Sequence, residues 1–146
     1  MHLKAIALAL SASAASVLAL AQEVNPQPLA SDHPLVGTWR IELPSMNCFE
    51  EYTLRSNGTK SSVSAQERNE SVFELSSEPS AQGFYRWADK ITKGNGKPDC
   101  SGAITEVGHV AVNFVRLHAS GKRFLLCESE ALSSCYAEFH RKGNDA

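Results

Sequence analysis

"GTWRIEL", Gly37 to Leu43, decides how this chain is to be read. Gly37, Trp39, Ile41 and Leu43 fall on one side of a period-two ribbon, and Thr38, Arg40 and Glu42 fall on the other. That is the pattern of a strand with one face on a core and one in water. Downstream no window sustains a helical period. Apolar and polar residues alternate again in "FEEYTLR" (49–55), "TKSSVSAQ" (59–66), "SVFEL" (71–75) and "GFYRWA" (83–88), and then in "VGHVAVNFVRLH" (107–118), "KRFLLCE" (122–128) and "CYAEFHR" (135–141). Asn57-Gly58 between two such runs is a strong hairpin signal, because both residues accept positive φ. Ser120-Gly121 supplies a second tight turn. About eight strands with mostly short connections predict an all-β antiparallel up-and-down meander, closed into a barrel or folded into a sandwich. The stretch from Arg55 to Ser71 is unusually polar, so its strands are expected to cover the core thinly and to lie toward solvent.

The N-terminus has a different composition. "MHLKAIALALSASAASVLALAQEV" carries Lys4, an Ala/Leu-rich run and Ala19-Leu20-Ala21 ahead of Gln22. That is the layout of a secretory signal peptide over residues 1–21. A bilayer span needs about 20 strongly apolar residues, and this run is shorter and interrupted by Ser11, Ser13 and Ser16. No cysteine follows the cleavage point, unlike a bacterial lipoprotein. Removal of the peptide leaves 125 of 146 residues, enough for one domain over 35–142, preceded by an extended segment (22–34) and followed by a polar tail (143–146). The formal charge of −2 becomes −3 when Lys4 is lost, and there is no basic cluster. Nucleic acid and anionic membrane surfaces are therefore poor partners, and a periplasmic or secreted monomer without stable membrane insertion is expected.

Cys48, Cys100, Cys127 and Cys135 are an even set in an oxidising compartment, which points to two disulfides. Three connectivities exist. Cys127 and Cys135 flank "ESEALSS" at the end of one apolar run and the start of the next, across the mouth of a hairpin. Cys48 then takes Cys100.

Gly37-Thr38-Trp39 at the start of the first strand and Arg141 at the end of the last resemble the two ends of the lipocalin signature. In that family a Gly-x-Trp opens the first strand, and a late arginine lies over the indole and closes the barrel floor. The physical reading agrees, since a guanidinium over Trp is a favourable cation–π arrangement. The resemblance implies an eight-stranded calycin-type barrel with a cup at one end, similar to small bacterial barrels. It covers the two ends of the mature chain. The late α-helix and the middle-loop motif of the classical members are missing.

Sites for chemistry are few. "KGNGKPDCSG" (93–102) has Gly94 and Gly96 but no third glycine in register and no helix after it, so it is no phosphate cradle. Asp99 stands alone, which does not make a calcium loop. Cys100 is a half-cystine there, and the glycines turn a stapled loop. His109 and His118 sit nine apart on one expected strand and face opposite ways, His140 faces solvent and His33 lies in the N-terminal segment. No pair has zinc-ligand spacing, so neither metal nor cofactor is expected. Glu50 and Glu51 are adjacent and therefore point apart. Glu50 shares a face with Tyr52 and Leu54 and enters the cup if that register holds; a later strand start or a bulge would turn it outward. Tyr85 and Trp87 share a face, and rings with polar tips suit either a ligand wall or a plain core.

No nucleophile, base and orienting group can be placed together, so the chain is not expected to be an enzyme. The expected function is an exported binding protein that holds a small, partly apolar ligand through Glu50, Tyr52, Tyr85 and Trp87. The alternative is a periplasmic inhibitor or immunity-type protein that blocks a partner enzyme through its loops, especially 93–102.

Overall fold

A computed structural model describes residues 23–143. The expected signal peptide (1–21) and residues 144–146 of the tail lie outside them. Eight strands follow one another: β1 (Gly37–Leu43), β2 (Cys48–Leu54), β3 (Thr59–Ser64), β4 (Glu67–Leu75), β5 (Tyr85–Gly94), β6 (Val110–Leu117), β7 (Arg123–Cys127) and β8 (Cys135–Arg141). Each pairs antiparallel with the next, and β1 pairs with β8, so the sheet is a closed up-and-down barrel.

The seam between β1 and β8 is short. It rests on the pairs Trp39 with Arg141 and Arg40 with His140, extended by a hydrogen bond from Lys142 N to Thr38 O at 2.9 Å. Side chains reinforce it. The Arg141 guanidinium carbon lies 4.1 Å from the centroid of Trp39. Its Nη1 donates to Val36 O at 2.9 Å, its Nε to Gly121 O at 3.1 Å, and its Nη2 to Pro34 O. Beneath the cation, the Trp39 indole N–H donates to Leu35 O at 2.9 Å. Gly37 is required at this place: its φ is +133°, and a Cβ there would stand 2.6 Å from Arg141 Nη1.

This end of the barrel is the floor, and it is filled. Trp39, Phe73, Phe124 and Phe139 are fully buried, with Leu54 and Val115 among them. Phe124 stacks on Phe139 at 5.1 Å and meets Trp39 edge-on at 4.8 Å. The segment before β1 crosses the floor. Leu29 N donates to Ser56 O and Gln27 N to Phe73 O, while Val24, His33 and Leu35 are buried.

Two disulfides tie the opposite end, the mouth. Cys48 at the head of β2 bonds Cys100 in the β5–β6 loop, and Cys127 bonds Cys135 across the β7–β8 turn. This is the pairing that the hairpin argument favours.

Several expectations are corrected. Strand β4 begins at Glu67 and β5 runs to Gly94. In the Asn57-Gly58 turn only Gly58 has positive φ, at +80°, while Asn57 Oδ1 accepts from Thr59 N at 3.1 Å. The polar stretch from Arg55 to Ser71 does not lie thinly toward solvent. Lys60, Ser64, Glu67, Asn69 and Ser71 are buried and point inward. Because β2 continues through the Gly58 turn into β3, Leu54 faces Lys60, and every second residue from Lys60 onward must share the inner face.

Candidate functional site

The inner face changes character halfway up. Below it is aromatic and closed; above it the walls are polar and enclose an open cup of about 400 Å³. Strand register lays out the polar wall in rows. Glu50 pairs with Ser64 and Ser64 with Glu67, so a carboxylate, a hydroxyl and a second carboxylate cross three neighbouring strands near the mouth. One step deeper lie Tyr52, Ser62 and Asn69, and below them Leu54, Lys60 and Ser71.

Glu50 enters the cup. Strand β2 starts at Cys48 and no bulge interrupts its register with β1. Its Oε1 accepts from Ser64 Oγ at 2.9 Å and its Oε2 from the Tyr52 hydroxyl at 3.1 Å. Enclosure of that hydroxyl pushes the Tyr52 phenol well above its usual range, and the neighbouring Glu50 charge adds to the effect. Lys60 lies deeper. It is ion-paired to Asp89 of β5, and its ammonium sits 4.8 Å from the centroid of Tyr52 and 4.9 Å from that of Trp87. Ser71 Oγ stands 3.5 Å from the same Asp89 oxygen.

Trp87 forms part of the wall between cup and floor, meeting Tyr52, Phe73 and Phe124 edge-on. It is 3% exposed, and its indole N–H has no acceptor; Asn69, 6% exposed, likewise has an unpartnered Oδ1. Tyr85 is not brought to this site. It is buried at the floor end beside His33, with ring centroids 5.4 Å apart.

The β5–β6 loop overhangs the mouth. Cys100 N donates to Ser64 Oγ at 3.0 Å and Thr105 N to Glu67 Oε2 at 3.3 Å, so the loop is fastened to the carboxylate row itself. Asp99 organises the loop. Its Oδ1 accepts from Ser101 N, Ser101 Oγ and Ala103 N at 2.7 to 2.9 Å. Burial works against its charge, but these bonds hold its carboxyl below the usual range. His109 precedes β6 and reaches the cup, whereas His118 follows β6 at the floor end, bonded to Ser120. They are therefore at opposite ends rather than on opposite faces of one strand. His140 is exposed and pairs with Glu138 at 3.0 Å. Among the described residues no three His, Cys, Asp or Glu side chains gather as metal ligands would.

Tyr136 and Asn113 escaped the sequence reading. The register slips between Leu126 and Cys127, which turns Tyr136 to the rim, where its hydroxyl donates to Asn113 Oδ1 at 2.7 Å. A bulge leaves no mark in alternation. Nothing in "CYAEFHR" announces it.

No family model, curated protein or solved structure matches this chain.

Proposed function

We propose that this protein is an exported, non-enzymatic binding protein that holds a small, partly apolar ligand in the cup of its barrel. One observation carries the reading. The upper barrel is unfilled and leaves buried polar atoms without partners, Trp87 Nε1 and Asn69 Oδ1. Eight-stranded barrels can be packed solid by their own side chains. A volume of about 400 Å³ lies within the span of small-molecule sites. Glu50, Tyr52 and Trp87 supply the wall, and Tyr85 supports the floor. The Gly37-Thr38-Trp39 and Arg141 closure supports a lipocalin-like mode of binding.

Glu50 engages a phenol and a hydroxyl, neither of them a base it could orient. That arrangement favours binding over catalysis. Two disulfides fit an oxidising compartment, as does the secretory pattern at the N-terminus. No described helix is long and apolar enough to cross a membrane.

The test is native mass spectrometry of protein purified from its own host. A bound small molecule is expected, lost from a Trp87→Ala or Tyr52→Ala variant that still folds. A clean apo mass at every gentle setting sinks the reading.

A second reading, inhibition of a partner enzyme by the loops, has one favouring observation. Ile104 and Val107, beyond the stapled stretch, are 57% and 62% exposed. Affinity purification from envelope extract, with Gly96→Trp as control, decides it; recovery of a stoichiometric protein by the wild type alone would support it.

A further inference from the structure

We propose that the cup selects a small organic ammonium ion, a protonated amine on an aryl or alkyl body, with Glu67 and Glu50 holding the charged end. The inference rests on the reading of the cup as a ligand site and names the class of ligand.

Four carboxylates line the cup, Glu50, Glu67, Asp89 and Asp99, against one lysine, Lys60, and one exposed histidine, His109. The lysine is already committed to Asp89. Asp99 is absorbed by its own turn. Two anions therefore remain without a counter-charge. Glu50 has only the neutral hydroxyls of Tyr52 and Ser64, and Glu67 only the Thr105 backbone N–H. Among the described residues no lysine, arginine or histidine nitrogen comes within 4.0 Å of either. Glu67 is 7% exposed. A carboxylate withdrawn so far from water needs a cation or several donors to offset the lost hydration.

Spacing fits one ligand head. Glu50 and Glu67 flank Ser64 on adjacent strands, and neighbouring strands lie about 4.8 Å apart. Their backbones thus stand on the order of 10 Å apart, with both side chains on the inner face of the same wall. An ammonium between them reaches both.

Two further observations, independent of the acidic row, point the same way. The first is the buried Asn69 Oδ1, one row below, turned toward Gly94 and without an N–H donor. The second is the protein's own example: the Lys60 ammonium sits against the faces of Tyr52 and Trp87. Those rings show that the aromatic wall accepts a cation, and because Lys60 and Asp89 balance each other, the ligand's ammonium belongs higher, at the Glu50–Glu67 row. Tyr52 stacks on Phe139 at 4.6 Å, and this aromatic wall receives the ligand's apolar body. A carboxylate ligand would instead meet Glu50 and Glu67 as like charges. A neutral one would leave both uncompensated.

Three probes that share a ring and differ only in the head test this by calorimetry at low salt: 2-phenylethylammonium, 2-phenylethanol and phenylacetate. The ammonium is expected to bind at least tenfold tighter than the other two. Glu67→Gln and Glu50→Gln should each reduce that preference severalfold, and the double variant should remove it. Unchanged circular dichroism shows that the variants fold. The proposal is overturned if phenylacetate or phenylethanol binds as tightly as the amine, or if the Gln variants keep the preference. If no probe binds, the natural occupant seen by native mass spectrometry decides: an amine supports the proposal, a neutral or anionic occupant overturns it while leaving the cup a ligand site, and an empty mass sinks both.

Discussion

Arg141 and Gly37 show how far one residue can constrain another. The guanidinium covers Trp39, and the space it takes is space that any side chain at position 37 would need. Gly37→Ala is therefore expected to lose about 1–3 kcal/mol, through strain at positive φ and displacement of the cation. Trp39→Ala should lose about 3–5 kcal/mol, as truncation of a fully buried ring does. Chemical denaturation of both single variants and the Trp39→Ala/Arg141→Ala double variant measures their coupling, expected at about 0.5–3 kcal/mol. Strict additivity would contradict the stacking. His33 makes a second prediction at this scale. Burial lowers its pKa below the ordinary 6.5, and the nearby Ser77 carbonyl, Glu78 and Asp32 offset only part of that. The neutral ring is favoured in the fold, so its contribution is fully present above pH 6.5 and declines as pH falls below that value. Thermal melts should show the wild type losing more stability than His33→Leu between neutral and acidic pH. Parallel losses would refute the assignment.

At the scale of strands and loops, two long-range ties act at different depths, the Cys48–Cys100 disulfide at the mouth and the Lys60–Asp89 ion pair below it. The Cys48–Cys100 bond closes the longer loop and by chain entropy is worth about 4 kcal/mol, against about 2.5 kcal/mol for Cys127–Cys135. Its removal should also free the β5–β6 loop from Ser64 and Glu67. A Cys48→Ser/Cys100→Ser variant is expected to melt lower and to show faster amide exchange at Cys100→Ser and Thr105, with the floor strands still protected. Equal acceleration throughout would mean that the loop is not a separate unit. The ion pair of β3 with β5 behaves otherwise. Lys60→Met leaves Asp89 buried without its cation and should cost about 3–5 kcal/mol, whereas Lys60→Met with Asp89→Leu should recover most of that loss. Denaturant midpoints of the two variants give the comparison.

Across the whole molecule, strand order, turns and disulfides were legible because each depends on local pattern or on few combinations. Trp39 and Arg141 were legible together through the resemblance to the lipocalin signature, and the closed meander does bring first and last strands side by side. The polar wall was not. In "TKSSVS" both faces carry hydroxyls, so alternation cannot say which face is inner; only pairing with β2, where Leu54 meets Lys60 and Tyr52 meets Ser62, assigns it. That register was available from the Gly58 turn and is the signal that would have found Lys60 and Ser64; the two-residue turn at Ala65-Gln66 carries it on to Glu67. "DKITKG" hid for a related reason, since the alternating run read from the sequence stops at Ala88, whereas β5 continues through an inward Asp89 matched by a lysine 29 positions earlier. A pair so distant in sequence is invisible without the fold. Tyr85 misled because it shares a face with Trp87, but one step along the strand carries it from the cup wall into the floor.

The described chain begins and finishes on the same side. Residues before β1 cross the floor, and Lys142 bonds Thr38 there, so neither end of the barrel domain approaches the mouth. A handle attached beside Glu23 or Gly143 would thus present the opening outward when the protein is anchored to a sensor chip, bead or fusion scaffold, without obstructing whatever enters it.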